Sequence, residues 1–350
     1  MDIKAGKVDE QSITELLAGK LGMPRPEIQT GPGYGVDVSV VALPGGMGMA
    51  MCSDPLSLLP QLGMQESAWL SLQLMVNDMA TTGFAPMYGQ FVLNLPAEMQ
   101  AHDFKTYWHY LHEYSRKIGL SITGGHTGFI PGLNSTVSGG GTLCTIAPLD
   151  KIRISRMARQ GDAILLSKSA AISSAGILAL RFPGHVRRYA GKEIQEKAAA
   201  MFYNLSVLKD AQVAIGDPDK GEISAMHDVT EGGILGALYE LAIASGNGVH
   251  VQLEDIPVAE AQQAVCKLFQ IDPLQSIGAG AMLISCAPQA VDAVQLRMHK
   301  AGISCRKIGM LTHKDTGMQL FKESRRIPWP SPGKDPYWDA YFKADALGLT

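Results

Sequence analysis

The stretch VNDMATTGFAP, residues 76–86, decides the fold, and it stands at the end of a segment with helical periodicity. Apolar residues recur at spacings of three and four across 66–82, which predicts a helix there. Asn77 and Asp78 interrupt its apolar character. Asp78 is either a solvated surface residue or a buried carboxylate, and a buried carboxylate needs a partner or a metal ion.

Further acidic residues stand at the ends of other predicted elements. Asp37 follows a glycine-rich loop, and Asp54 ends a predicted strand in the segment SDPL, residues 53–56. Asp228 lies in HDVTEGG, residues 227–233, where a strand gives way to a helix. Each has a purely structural alternative, because Asp before Pro starts turns and Asp228 is able to cap the helix that follows.

The segment GGHTG, residues 124–128, is predicted to be a loop after the strand 120–123. Glycine allows backbone to approach a ligand closely. His126 in this loop is either a hydrogen-bonded loop histidine or a functional group.

The composition excludes several classes of protein. The chain has 350 residues, of which 46% are hydrophobic, and 30 basic residues stand against 33 acidic ones. This near-neutral balance provides no basic field for nucleic acid. No apolar run reaches the ~20 residues needed to span a bilayer, and the first residues lack the apolar core of a secretory signal, so we expect no membrane partner and a cytoplasmic location. The five cysteines form no C-x-x-C pair.

The predicted helices and strands alternate in two halves of similar size, typical of two α+β or α/β domains. The sequence changes character around 148–162, and we place the domains at 1–149 and 150–322. The tail, 323–350, contains IPWPSPGKDPYW and is expected to run over the surface.

Familiar catalytic motifs are missing from the sequence. GDAILLSKS, residues 161–169, is similar to a P-loop, but Ser167 stands where the motif needs glycine. No dinucleotide-binding G-x-G-x-x-G, nucleophile elbow or H-E-x-x-H zinc pair occurs.

Taken together, VNDMATTGFAP, SDPL, TGGHTG and HDVTEGG resemble the AIR synthase-related superfamily. Its members include phosphoribosylformylglycinamidine cyclo-ligase, thiamine-monophosphate kinase, selenophosphate synthetase and the HypE-type hydrogenase-maturation protein. The segments GDAILLSK, SSAGILAL and SGNGVHVQLEDIPV look like the second domain of the HypE-type branch. The resemblance runs from about Gly31 to Leu311.

The resemblance implies a two-domain fold of α+β and α/β type. The N-terminal domains of two subunits would pair through their sheets into a dimeric, barrel-like core, and an α/β sandwich-like C-terminal domain would cover an ATP site. It also implies a homodimeric enzyme that uses ATP and Mg²⁺ to phosphorylate a carbonyl or amide oxygen of a small substrate. The rival hypothesis is a non-catalytic nucleotide-binding or scaffold homologue.

Carried over by motif, the metal ligands would be Asp37, Asp54 and Asp78, in keeping with the preference of Mg²⁺ for oxygen ligands. The catalytic candidates are His227, Asp228 and His126. The residues expected to contact the nucleotide or its phosphates are Gly33, Gly35, Asn77, Gly124, Gly125, Thr127, Gly232 and Gly233. Asn77 would alternatively support the metal site.

The sequence departs from the family at three points. His126 stands where relatives carry an acidic residue, and the early loop reads GVD where relatives often read G-D-D. The site would therefore hold one metal fewer, prefer another metal or lack catalysis, or His126 would act as an acid or base. The sequence ends ALGLT without the C-terminal cysteine of the HypE branch, so we do not expect that branch's carrier chemistry.

Overall fold

The computed structural model describes residues 7–133, 137–330 and 334–350, which form two open β-sheets with helices packed against them. The helices are α1 (Glu10–Leu17), α2 (Met64–Ala80), α3 (Ala101–Lys117), α4 (Ile172–Arg181), α5 (Pro183–Ala190), α6 (Lys192–Met201), α7 (Leu208–Ile215), α8 (Gly233–Ser245), α9 (Glu260–Leu268), α10 (Val291–Lys300) and α11 (Pro336–Ala346). None within the described ranges is long and apolar enough to cross a membrane.

The first sheet has six strands in the order β1-β2-β3-β6-β4-β5. They are β1 (Ile28–Thr30), β2 (Ser39–Leu43), β3 (Met47–Ser57), β4 (Tyr88–Pro96), β5 (Ser121–Ile130) and β6 (Val137–Pro148). Only β4 and β5 run parallel, joined by α3, and the other neighbours are antiparallel. The sheet does not close on itself within one chain.

The second sheet has seven strands in the order β13-β12-β9-β11-β7-β10-β8. They are β7 (Ala163–Ser167), β8 (Ile223–Asp228), β9 (Gly248–Gln252), β10 (Met282–Cys286), β11 (Cys305–Thr312), β12 (Met318–Lys322) and β13 (Arg325–Ile327). The predicted organisation in two α/β halves is confirmed.

Strand β7 is buried on both faces, and its side chains divide between two cores. Ile164 and Leu166 face a core shared with α4, α8 and α9, whereas Ala163 and Leu165 face a core that contains residues of α2. Because α2 belongs to the first half of the chain, this second core joins the two sheets. The run AILLS has no polar alternation, as expected for a strand covered on both sides.

The prediction of a loop at GGHTG is wrong, because all of residues 124–128 lie inside β5. Parallel pairing with β4 extends through this segment, where His126 is opposite Val92. Gly125 has φ +142°, and a Cβ there would stand 1.8 Å from the Phe91 carbonyl oxygen. This glycine permits close strand pairing.

The expectation that the tail runs over the surface is also wrong. Strand β13 adds to the second sheet, and Tyr337, Tyr341 and Ala344 of α11 are buried in its core. Burial of these side chains stabilises α11, because a helix this short has only marginal stability on its own in water.

We predict that the Tyr337→Ala variant loses about 3–5 kcal/mol of unfolding free energy, the usual cost of emptying a large buried aromatic site. Tyr337 is 3% exposed, whereas Phe342 on the same helix is 51% exposed. Phe342→Ala is the matched control and should cost clearly less, because about half of this side chain is already in water and its removal leaves no buried cavity. Urea denaturation measures both, and equal losses would contradict the docking of α11.

Candidate active site

The centre of the site is His227, at the end of β8, whose side chain is 1% exposed. Its Nδ1 lies 2.9 Å from Asp37 Oδ2, and its Nε2 lies 3.2 Å from Glu240 Oε2. Burial alone lowers the pKa of His227, but the charges and hydrogen bonds of Asp37 and Glu240 outweigh it and raise the pKa to about 10. His227 is therefore a cation at neutral pH.

Two local features bring these side chains together. Gly35, just before Asp37, has φ +69°, and a Cβ there would stand 2.5 Å from the Glu240 carbonyl oxygen, so only glycine lets this loop pack on α8. Ser155 Oγ donates a 3.1 Å hydrogen bond to Asp37 Oδ2 and lies 3.1 Å from His227 Nδ1. Asp37 is thus held from two sides.

Three more carboxylates lie within electrostatic range of this group. Burial and repulsion from Asp228, Asp54 and Asp37 raise the pKa of Asp78 well above its ordinary value. Burial is the main cause that raises the pKa of Asp54 to about 6. Asp228 has a pKa of about 8, raised by burial and then by Asp37. The carboxylates of Asp37, Asp54, Asp78 and Asp228 are what we call the carboxylate cluster.

The cluster consists of the oxygen ligands that divalent cations prefer, but these oxygens are not arranged around a common point. Within 7–133, 137–330 and 334–350, no three His, Cys, Asp or Glu side chains are arranged to hold a metal ion. Asp228 is 2% exposed, and its Oδ2 has no hydrogen-bond partner among the described residues. An unpaired buried carboxylate oxygen beside other carboxylates fits a hard cation such as Mg²⁺.

The segment before α1 brings a lysine to Glu240, the second partner of His227. Lys7 Nζ lies 2.5 Å from Glu240 Oε1, and the Lys7 backbone N–H donates to Glu231 Oε2 at 2.7 Å. Tyr239, on α8, donates a 2.6 Å hydrogen bond to Glu10 Oε2. These contacts fasten the N-terminal segment to α8 and the loop before it.

Asn77 takes a structural role instead of the predicted nucleotide contact, because backbone groups occupy both ends of its side-chain amide. Its Nδ2 donates to the Leu205 carbonyl at 2.8 Å, and its Oδ1 accepts from the Val207 N–H at 2.9 Å. The side chain is fully buried. Asn77 therefore fastens α2 to the segment before α7.

The predicted phosphate contacts at Gly232 and Gly233 are also corrected, because their N–H groups are already bonded. Gly232 N–H donates to Asp335 Oδ2 at 2.8 Å, and Gly233 N–H donates to the Thr230 carbonyl at 3.2 Å. Asp335 is 3% exposed and comes from the tail. A carboxylate of the protein thus stands at the N-terminus of α8, where an anion would bind.

The other predicted residues lie apart from this group. His126, Thr127 and the neighbouring Gly124 and Gly125 are exposed on β5. Among the described residues, no hydrogen bond or ion pair joins His126 to the carboxylate cluster. Gly33 is partly buried, and a Cβ added to it would stand 3.3 Å from Val36 Cγ2.

Sequence reasoning missed Lys7, Ser155 and Glu240. Glu240 gives a signal that could have found it, since it is the one charged residue in the apolar helix GILGALYELAIAS. A buried carboxylate in such a helix needs a partner. Ser155 and Lys7 give no comparable signal, because nothing in their neighbourhoods distinguishes them from surface residues.

A separate cavity of about 680 Å³ lies beside the end of β7. Its lining is apolar apart from Lys168, Ser169, Asn204, Glu254, Ser304 and Arg306. Lys168 Nζ donates to the carbonyls of Asn204, Ser206 and Gly280 at 3.2, 2.7 and 2.9 Å. Its ammonium is occupied by the protein, in agreement with the rejection of a P-loop there.

Comparisons with known proteins agree with this architecture. The model of the N-terminal domain of AIR synthase related proteins matches residues 35–144, and that of the C-terminal domain matches 159–319. Carbamoyl dehydratase HypE of Cupriavidus necator is 28% identical over 283 residues, which are 79% of this chain and 76% of that protein.

Two solved structures share the fold. AaThiL complexed with AMPPCP and TMP has a TM-score of 0.68 at 16% identity, covering 93% of this chain and 94% of that one. The HypE–HypF complex has a TM-score of 0.70 at 17% identity, covering 91% of this chain and 99% of that one.

We predict that His227→Gln lowers the unfolding free energy by about 3–5 kcal/mol, because it leaves buried carboxylates without their cation. The full difference in unfolding free energy between the variant and the unchanged protein should be seen below pH 6.5, the ordinary pKa of histidine. The difference should shrink as the pH rises through about 10, where folded His227 loses its proton. Urea denaturation across this range measures it. His126→Gln, on the exposed strand, is the control and should stay within about 0.5 kcal/mol.

Proposed function

Because the chain belongs to the AIR synthase-related protein family, we propose that it is an ATP-dependent enzyme that phosphorylates a carbonyl or amide oxygen of a small substrate, with Mg²⁺. The observation that carries the proposal is the carboxylate cluster with the unpartnered Asp228 Oδ2. The relatives support it, since one is a carbamoyl dehydratase and a protein of the same fold was crystallised with AMPPCP.

The residues divide the work as follows. The carboxylates would hold Mg²⁺, which neutralises phosphate charge, and phosphoryl transfer depends mainly on such neutralisation and on positioning. The substrate oxygen attacks the γ-phosphorus, the bond to the β–γ bridging oxygen breaks, and ADP leaves. His227 is already protonated, so it is a positioning residue for Asp37 rather than a base. Asp228 would contribute its unpartnered Oδ2 to the same cation.

The second candidate is a nucleotide-binding or scaffold protein without catalysis. Two observations favour it: the N-terminus of α8 carries Asp335, and Asn77 is occupied by the backbone at Leu205 and Val207. The two candidates differ in turnover of ATP, since a scaffold would bind the nucleotide without hydrolysing or transferring it.

We further propose that the chain is a homodimer whose subunits meet on the outer face of the first sheet. Tyr88, Val92 and Ile146 are exposed on this face, and large apolar groups of this kind are typical of an interface. The domains proposed are 1–149 and 150–322, the tail belonging structurally to the second. A cytoplasmic location and a small carbonyl- or amide-bearing acceptor are part of the same proposal.

We predict that Asp78→Asn weakens Mg·ATP binding at least about tenfold, the lower end of the loss when a metal site is perturbed. Because Asp78 is repelled by three carboxylates, the neutral amide should leave the stability of the metal-free protein unchanged or higher. Isothermal titration with ATP, with and without Mg²⁺, gives the affinity, and thermal unfolding gives the stability.

Asp292→Asn, at an exposed position on α10, is the matched control and should bind as the unchanged protein does. Unchanged Mg·ATP affinity in Asp78→Asn would remove this residue from the metal site. An unchanged protein that binds ATP but never turns it over, with any amide or carbonyl substrate offered, would favour the scaffold.

We predict that Val92→Asp converts the dimer to a monomer, because the charge would be buried against the partner without compensation. Light scattering after size-exclusion chromatography measures the mass. Leu296→Asp, which also replaces an exposed apolar residue but lies on α10, should leave the mass unchanged. A monomeric unchanged protein at all concentrations would overturn the dimer.

A further inference from the structure

One face of the second sheet is covered over only part of its width. On β7, the side chains of Ala163 and Leu165 face the core that also contains residues of α2, α7 and α10. Met310 and Lys307 of β11 pair with these two residues, and paired residues lie on the same face of a sheet. The covered face therefore continues onto β11.

The pairing of β11 with β9, of β9 with β12 and of β12 with β13 carries the same face to the edge of the sheet. The residues that share it, which we call the open face, are Lys307, Met310, His250, Gln252, Gln319, Phe321 and Arg326. None of them is buried, whereas residues between them on the same strands, such as Val251 and Leu320, lie in a core.

The open face combines positive charge with apolar surface and carries no acidic side chain. Met310 is 41% exposed, and the ring of Phe321 stacks on that of His250 with 4.5 Å between the ring centres. Lys307 and Arg326 are exposed, and the side chain of neither forms an ion pair or a hydrogen bond with a described residue. The surrounding segment, 305–327, has six basic and two acidic residues in a chain whose net charge is -3. Positive charge is therefore concentrated in this segment and left unpaired on the open face.

The distance between the two cations indicates the shape of a ligand. Strands β11 and β13 are three strand spacings apart, about 14 Å at about 4.8 Å each, and Phe321 on β12 lies between them. An extended chain rises about 3.4 Å per residue and points alternate side chains to one side, so it covers this distance in about four residues. Two carboxylates four positions apart would reach Lys307 and Arg326, and an apolar side chain midway would contact Phe321.

We propose that the open face is a docking surface for a partner protein, which lays across it an extended acidic segment with an apolar residue between two carboxylates. Aromatic, methionine and arginine side chains are among the types enriched in such interfaces. Two cations about 14 Å apart match single carboxylates better than a continuous row of phosphates, so the observations favour a protein over a nucleic acid. The inference is independent of the carboxylate cluster, because none of the cluster's residues belongs to the open face.

The test measures the fluorescence anisotropy of a labelled peptide that contains Glu-Ser-Leu-Ser-Glu, titrated with the full chain at low salt. We expect a Kd below about 1 mM, and a peptide with Gln in place of both Glu residues should lose binding. Phe321→Ala should weaken binding about tenfold or more, as for a residue at the centre of an interface. Arg326→Gln should weaken it about two- to fivefold, as for an exposed ion pair. Lys322→Gln is the matched control and should leave the affinity unchanged, since Lys322 is exposed on β12 but alternates with Phe321 and so lies on the opposite face.

Two results would overturn the inference in favour of a solvated sheet whose cations only protect its edge from pairing with other chains. They are absence of peptide binding by the unchanged chain, and equal affinity in the unchanged chain and Phe321→Ala. Tighter binding of a labelled thymidine oligonucleotide, weakened by the same variants, would overturn it in favour of nucleic acid. Thermal unfolding shows whether each variant is folded, and Arg326→Gln decides the matter where Phe321→Ala is not. The proposed function is tested separately by ATP binding, which these variants should leave unchanged.

Discussion

The structure depends on burying one histidine cation between two carboxylates that come from different parts of the chain. Asp37 follows the first strand, while His227 and Glu240 belong to β8 and α8 of the second half. Removing charged groups from water is costly unless each finds its partner, and Asp37 reaches His227 only when the two halves are assembled. The same assembly encloses the core that α2 shares with β7, so hydrophobic burial and charge pairing favour one arrangement.

Much of the fold could be predicted because it follows from local pattern. The apolar periodicity of 66–82 becomes α2, and the uninterrupted AILLS becomes a strand covered on both faces. The prediction of a loop at GGHTG was wrong because glycine was taken as a sign of irregular backbone. Gly125 is instead needed for close parallel pairing with β4. The prediction of a surface tail was wrong because the proline-rich sequence gives no sign of the short aromatic helix α11. That helix is stabilised by docking on the core.

The site was harder to predict because its chemistry is set by partners far away in sequence. Asp37, Asp54, Asp78 and Asp228 were recognisable as carboxylates at element ends. Nothing local indicates that the pKa of His227 would be raised or that Asn77 would be occupied by the segment before α7. Asp37 and His227 are separated by 190 positions, and Asp335 is 103 positions from the glycine it binds. Residue type predicts which bonds and protonation states are open to a side chain. Contacts with residues far away in sequence decide which of them it adopts.

The position of Asp335 bears on how such a site would have to hold phosphate. The N-terminus of α8 provides N–H groups and a positive dipole, yet its first amide is bound to a buried carboxylate of the same chain. Phosphate charge arriving beside the cluster therefore finds no free helix N-terminus at Gly232 and must be neutralised by cations. The cluster itself is acidic, so those cations must bind to the carboxylates first. Under the proposed function, recognition of a nucleotide would therefore depend on the cations that the cluster holds.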